Sequence, residues 1–204
     1  MGRRPLRRRP GRPGILLSRF FVAVFPPEAA REDLLHHLPP STLLTRPTTW
    51  HITLAFLGTL PTGTMPPPPA GSAPHPPGDE VPPRPAGEAP RPPEVVLEAV
   101  PRPPSFRLRL TGGGRFGSVG WAGLGGDLQA LRALRESIRV ALTDAGLPID
   151  PRPFQPHLTV TYRAATDLLP TLDGYVGPDW PVTHFALVES THGEYHPRHT
   201  WPLP

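Results

Sequence analysis

Histidine and threonine recur in one pattern at two distant places in this chain. His51-Ile52-Thr53-Leu54 opens the run HITLAF, and His157-Leu158-Thr159-Val160 opens HLTVTY. An imidazole has an unperturbed pKa of about 6.5, so near neutral pH it can take or give a proton. A hydroxyl two residues on can donate a hydrogen bond to an anionic oxygen. Two such pairs are what a site needs to hold a phosphate and move two protons across it. The attacking and departing oxygens lie roughly in line through phosphorus, so one histidine must stand on each side.

Both copies read as β-strands, because apolar and β-branched residues alternate with polar ones. Side chains i and i+2 of a strand share a face. His51 and Thr53 therefore point one way, with Ile52, Leu54 and Phe56 the other. His157 and Thr159 repeat this over Leu158 and Val160. The same parity puts Arg163 on the face of His157 and makes it the candidate basic contact to a phosphate. The bland alternative is two half-buried strands that each carry a His-Thr pair on the wet face.

Paired His-x-Thr-apolar motifs resemble those of the 2H phosphoesterases, and most closely the bacterial RNA 2′,3′-cyclic phosphodiesterases, once described as 2′-5′ RNA ligases. The similarity extends to the first-strand run from Arg19 to Pro27, and to the flanks Trp50 and Ala55-Phe56-Leu57-Gly58. It also includes Gly114-Arg115-Phe116 with Trp121-Ala122-Gly123, the approach Pro153-Phe154-Gln155-Pro156, and the late segments Phe185–Ser190 and Trp201-Pro202-Leu203.

The resemblance implies an α+β, bilobal fold: two antiparallel sheets with flanking helices, related by a pseudo-twofold around a central cleft. It implies an enzyme that hydrolyses RNA 2′,3′-cyclic phosphate ends to a 2′-phosphate without metal or cofactor. His51 would be the proton donor to the leaving 3′-oxygen, His157 the proton acceptor from water, and Thr53 and Thr159 phosphate contacts. That family often carries an arginine five residues after the second histidine; Tyr162 stands there, with Arg163 next. Related readings are a phosphodiesterase acting on small cyclic nucleotides or 2′-5′ linkages, the reverse 2′-5′ ligation, and a non-catalytic RNA-binding module.

Composition excludes several chemistries. The 204 residues contain no cysteine, hence no disulfide or thiolate nucleophile. All 21 basic residues are arginine, which excludes a Walker A lysine, a Schiff base and a lysyl-adenylate. Residues 1–18 hold six arginines and no acid, so the rest carries 21 − 6 = 15 basic against 17 acidic residues. The positive balance thus lies in a tail, expected to be disordered. No segment reads as a membrane span; a cytoplasmic monomer is the expectation.

A single domain over 19–204 is expected, interrupted at 61–104 by low-complexity sequence holding 17 of the 35 prolines. Glu94–Val100 reads as the remnant of a helix. Helices are predicted over 27–38, from an Asp127 N-cap to Gly146 on a stripe of Leu128, Leu131, Leu134, Ile138 and Leu142, and near 167–173. Strands are predicted at 19–25, 50–57, 106–110, 118–124, 157–163, 183–190 and 199–203. Gly112–Gly117 matches G-x-G-x-x-G, but a strand follows, so it reads as a glycine-rich hairpin rather than a dinucleotide loop. His36 and His37 read as surface residues at a helix end. His192, His196 and His199 are close in sequence but read as a loop without clear metal spacing. Phe154 and Trp121 are candidates for stacking on a base.

Overall fold

The computed structural model describes residues 16–62 and 91–204. Most of the arginine-rich tail, and residues 63–90 of the proline-rich segment, lie outside the described residues.

Among the described residues, eight strands follow one another: β1 (Leu16–Val24), β2 (Ile52–Thr62), β3 (Phe106–Phe116), β4 (Val119–Gly126), β5 (Leu158–Thr161), β6 (Trp180–Val182), β7 (His184–Thr191) and β8 (Glu194–Pro202). Four helices accompany them: α1 (Glu28–His37), α2 (Pro93–Glu98), α3 (Leu128–Asp144) and α4 (Leu168–Leu172). The class is α+β, as expected. The short β6, which pairs with β3 through Phe106–Val182 and Leu108–Trp180, was not anticipated.

Two separate sheets were expected; the described residues form one. All eight strands join in the order β6-β3-β4-β5-β2-β1-β7-β8, every pairing antiparallel. Each half of four strands has a motif strand at its inner margin, and these two margins pair at Ile52 and Leu158. A strand margin presents unpaired backbone groups. Pairing the two margins at this one position makes the sheet continuous.

The helices share one core with the sheet. Ala30 and Leu34 of α1, Val96 and Leu97 of α2, and Leu168 and Leu172 of α4 pack into the cluster that contains Ile52, Leu54, Leu158 and Val160. Of the predicted stripe of α3, Leu131, Leu134, Ile138 and Leu142 are all at 0% exposure, and Leu128, at its start, is partly buried. Asp127 is the N-cap of α3 as predicted, but its side chain makes no capping bond; its Oδ2 accepts the backbone N–H of Arg107 at 3.0 Å. Gly146 ends the helix at φ +71, and the N–H of Leu147 reaches back to the Leu142 carbonyl at 3.0 Å. The residual helix expected at 94–100 is α2.

The glycine-rich stretch is a hairpin, with Gly117 at φ +59 in the turn between β3 and β4. A second tight turn joins β7 to β8 at His192 (φ +53) and Gly193 (φ +80), the left-handed pair favoured by two-residue hairpins. His196 and His199 therefore lie in β8, not in a loop.

Truncating Leu134 removes a fully buried side chain from the centre of the α3 stripe. Leu134→Ala is expected to lower stability by about 2–5 kcal/mol, read as a lower urea midpoint at unchanged slope.

Candidate active site

The strand junction creates the site. Ile52 and Leu158 face each other across it, both at 0% exposure. Their neighbours project the opposite way. The antiparallel register then sets His51 across from Thr159 and Thr53 across from His157. Directly opposed side chains in such a pair are about 4.5–5.5 Å apart at Cβ. The four motif side chains form a compact array, and all four line one cavity of about 530 Å³.

Both imidazoles are anchored alike. His51 Nδ1 lies 2.7 Å from the carbonyl oxygen of Thr49, and His157 Nδ1 lies 2.7 Å from that of Gln155. A carbonyl can only accept, so each Nδ1 carries the proton and each Nε2 is left for exchange with a ligand. Thr49 closes a single 3₁₀ turn, Pro47–Thr49, whose following residue Trp50 is 1% exposed. The Trp50 indole N–H donates to Thr45 Oγ1 at 2.8 Å. Thr45 in turn donates its backbone N–H (2.8 Å) and hydroxyl (3.1 Å) to the Val160 carbonyl. Thr161 Oγ1 donates to the Leu43 carbonyl at 2.6 Å. The loop before the first motif is thereby bound along the strand of the second.

The surroundings of the two histidines differ. His51 is packed among Phe21 (ring centroids 4.7 Å), Tyr195 (5.3 Å) and Phe25 (5.8 Å). Burial there pushes its pKa below the usual imidazole value. The bond to Thr49 pulls it back up, and the charge of His157 lowers it further. His157 meets the ring of Phe116 at 5.2 Å and of Trp121 at 6.1 Å. Burial also raises the Tyr195 phenol, which keeps its proton near neutral pH.

Arg163 does not reach the cavity, and the reason is a slip in strand parity. Between β4 and β5 the pairing runs Trp121–Thr159 and then Gly120–Thr161, skipping Val160. An inserted residue reverses which face the following side chains take. Val160 and Thr161 are both buried, and Tyr162, not Arg163, lines the cavity. The strand ends at Thr161, and Arg163 is exposed. The first motif slips at the same point. Between β1 and β2, Ala23–Thr53 is followed by Val22–Ala55, skipping Leu54. Phe56, expected on the core face, is turned out and lines the cavity at 48% exposure.

Sequence reasoning missed the basic groups here. Arg19 and Arg46 line the cavity. Arg19 alternates with Phe21 along β1, so strand parity was the available signal for it. Arg46 donates to Glu194 Oε1 at 3.1 Å and to the Gly193 carbonyl, tying the β7–β8 turn to the cavity. No local pattern announces that contact, nor the approach of Tyr195. Trp121 packs on His157, whereas Phe154 lines a neighbouring cavity. His37 is less free than expected: its Nε2 donates to the Thr171 carbonyl at 2.7 Å and its ring packs on Tyr175. Among the described residues no group of three His, Asp or Glu could hold a metal ion, and no helix is long and apolar enough to cross a membrane.

The continuous antiparallel sheet with a paired His-Thr array at its centre defines a class. This chain belongs to the 2′-5′ RNA ligase superfamily, whose family model matches residues 37–194, and so to the 2H phosphoesterases. It is 29% identical over 119 residues to an RNA 2′,3′-cyclic phosphodiesterase of Geobacillus stearothermophilus. That match spans 56% of this chain and 30% of the relative's length. Its fold is similar to that of Escherichia coli LigT complexed with 3′-AMP (TM-score 0.64, 24% identity, covering 92% of this chain and 99% of that one). A Thermus thermophilus protein is similar too (TM-score 0.61, 27% identity, 91% and 97% covered).

The arrangement sets the expected titration of His51. In an NMR pH titration, assigned by the resonance lost in His51→Gln, His51 titrates below the ordinary imidazole value of 6.5. Adding a nucleoside 2′-phosphate raises that pKa, because an anion beside the ring stabilises its charged form. A midpoint above the ordinary value in the ligand-free protein would contradict the burial argument.

Proposed function

We propose that this chain hydrolyses 2′,3′-cyclic phosphate ends of RNA to 2′-phosphates, without metal, by acid–base catalysis between His51 and His157. The observation that carries this reading is the cross-paired array: two imidazoles and two hydroxyls on one face of one strand junction, each imidazole fixed through Nδ1 to a backbone carbonyl. The name of the Geobacillus relative supports the substrate class.

In this mechanism His157 Nε2 takes a proton from water as its oxygen bonds to phosphorus. The bond from phosphorus to the 3′-oxygen breaks, and His51 Nε2–H delivers a proton to that oxygen. Thr53 and Thr159 donate hydroxyl hydrogen bonds to the non-bridging oxygens as charge builds. Tyr162, delivered by the parity slip, is the further donor on the His157 side; Arg163 is not. The assignment of donor to His51 rests on family analogy, and the ligand-free site works against it, because burial favours neutral His51. The substrate's own negative charge offsets this by favouring the imidazolium. The donor is thus armed by the group it acts on.

A second reading comes from the family's name. If a 5′-hydroxyl attacks in place of water, the same groups join two RNA ends through a 2′-5′ bond. We read residues 19–204 as one catalytic domain and the proline-rich segment as an insertion in it.

The test uses an RNA ending in a 2′,3′-cyclic phosphate, with EDTA present. A 2′-phosphate product is expected, and His51→Ala and His157→Ala each lower turnover by about 10²–10⁴. The double variant is little worse than either single one, since the pair acts as a unit. Binding without turnover would instead mark an RNA-binding module. Arg163→Ala is expected to keep turnover near that of the unaltered protein, while Tyr162→Phe loses part of it; the reverse order would restore Arg163 as the phosphate contact.

A further inference from the structure

A second cavity, of about 450 Å³, opens beside His157 and meets the first at Thr53, Phe56 and His157. Neither half of the proposed reaction uses it. Its walls include Phe56, Phe116 and Phe154, and Phe56 and Phe116 are large apolar rings left 48% and 41% exposed. Exposed rings on a concave surface next to a nucleotide site are stacking platforms for bases.

The same cavity holds an arginine with an unused buried donor. Arg135, on α3, has a side chain only 14% exposed and sits over the Phe154 ring at 5.4 Å. Its Nε is buried with no hydrogen-bond partner. Its nearest acid, Glu136 at 3.5 Å, is already engaged by Arg139, which donates to both carboxylate oxygens at 2.9 and 2.5 Å. The other carboxylate in the cavity, Asp150, is hydrogen-bonded by Arg152, which holds its carboxyl at about 2, and Arg135 acts on it only through the weaker pull of its charge. A mostly buried guanidinium with a free donor is costly unless an anion completes it.

We propose that this second cavity binds the nucleotide on the 5′ side of the cyclised end: its base stacks on the phenylalanine wall, and Arg135 contacts the phosphate linking it to the terminal nucleoside. The inference rests on the cyclic-phosphate reading above and narrows its substrate class to oligonucleotides. A cyclic phosphate end has no downstream nucleotide, so the only continuation of the chain is through the 5′-oxygen of the terminal ribose. Once the terminal phosphate sits in the His-Thr array, the adjoining cavity is where that continuation finds both rings and a cation.

The experiment compares a nucleoside 2′,3′-cyclic phosphate with a dinucleotide ending in the same cyclic phosphate. The dinucleotide is expected to show at least a roughly tenfold higher kcat/KM, and that ratio is expected to fall close to one in Arg135→Met and in Phe154→Leu. Arg135→Met keeps the packing length and Phe154→Leu keeps an apolar side chain, so circular dichroism should report intact folding for both. Equal kcat/KM for the two substrates would overturn the proposal, as would a preference that survives both substitutions. If neither substrate turns over, the hydrolysis reading fails, and the subsite is judged by binding instead. The dinucleotide 2′-phosphate must then bind more tightly than the mononucleotide, and lose that advantage in Arg135→Met; otherwise the proposal fails with it.

Discussion

The contact on which the rest of this structure depends is the pairing of Ile52 with Leu158. It is a short junction between two strands that belong to different halves of the chain. Both side chains are fully buried, so the residues on either side must face away from the core. The junction therefore fixes at once the continuity of the sheet and the convergence of the two His-Thr pairs. The loop from Leu43 to Thr45 reinforces it by donating to and accepting from β5.

A second constraint acts one residue further along each motif strand. Leu54 and Val160 are both skipped in the pairing with the outer neighbour. Each slip buries two consecutive residues and then returns an aromatic, Phe56 or Tyr162, to the cavity side. Inserted residues of this kind bend a strand and re-aim the side chains beyond them. Here they allow the alternating pattern of the motif to end in a side chain of the site rather than of the core.

The two halves are alike in backbone and unlike in surroundings. Each histidine is tied to the carbonyl two residues before it, yet His51 is enclosed by Phe21, Phe25 and Tyr195, while His157 looks toward Phe116 and the second cavity. Equal anchoring leaves burial to distinguish the two, and burial favours the neutral form of His51. The charge of His157 adds a smaller push in the same direction as burial on His51.

Much of this was legible in the residues themselves. The strand period identified both motifs, the leucine stripe identified α3, and the strand after Gly117 excluded a dinucleotide loop, because each is a local pattern with a local cause. Parity failed for Phe56 and Arg163, since a bulge leaves no mark in the alternation that precedes it. The join between the half-sheets, the arrival of Arg46 and Tyr195, and the placement of Arg135 beside Phe154 were not legible at all. Those depend on contacts between residues far apart in the chain. Sequence by itself determined which groups can exchange protons and that each has a hydroxyl on its own side of a strand. Only the tertiary structure decided that the two pairs oppose each other, which neighbours surround each ring, and which buried cation keeps a free donor, because backbone pairing across the junction and burial behind it set those distances.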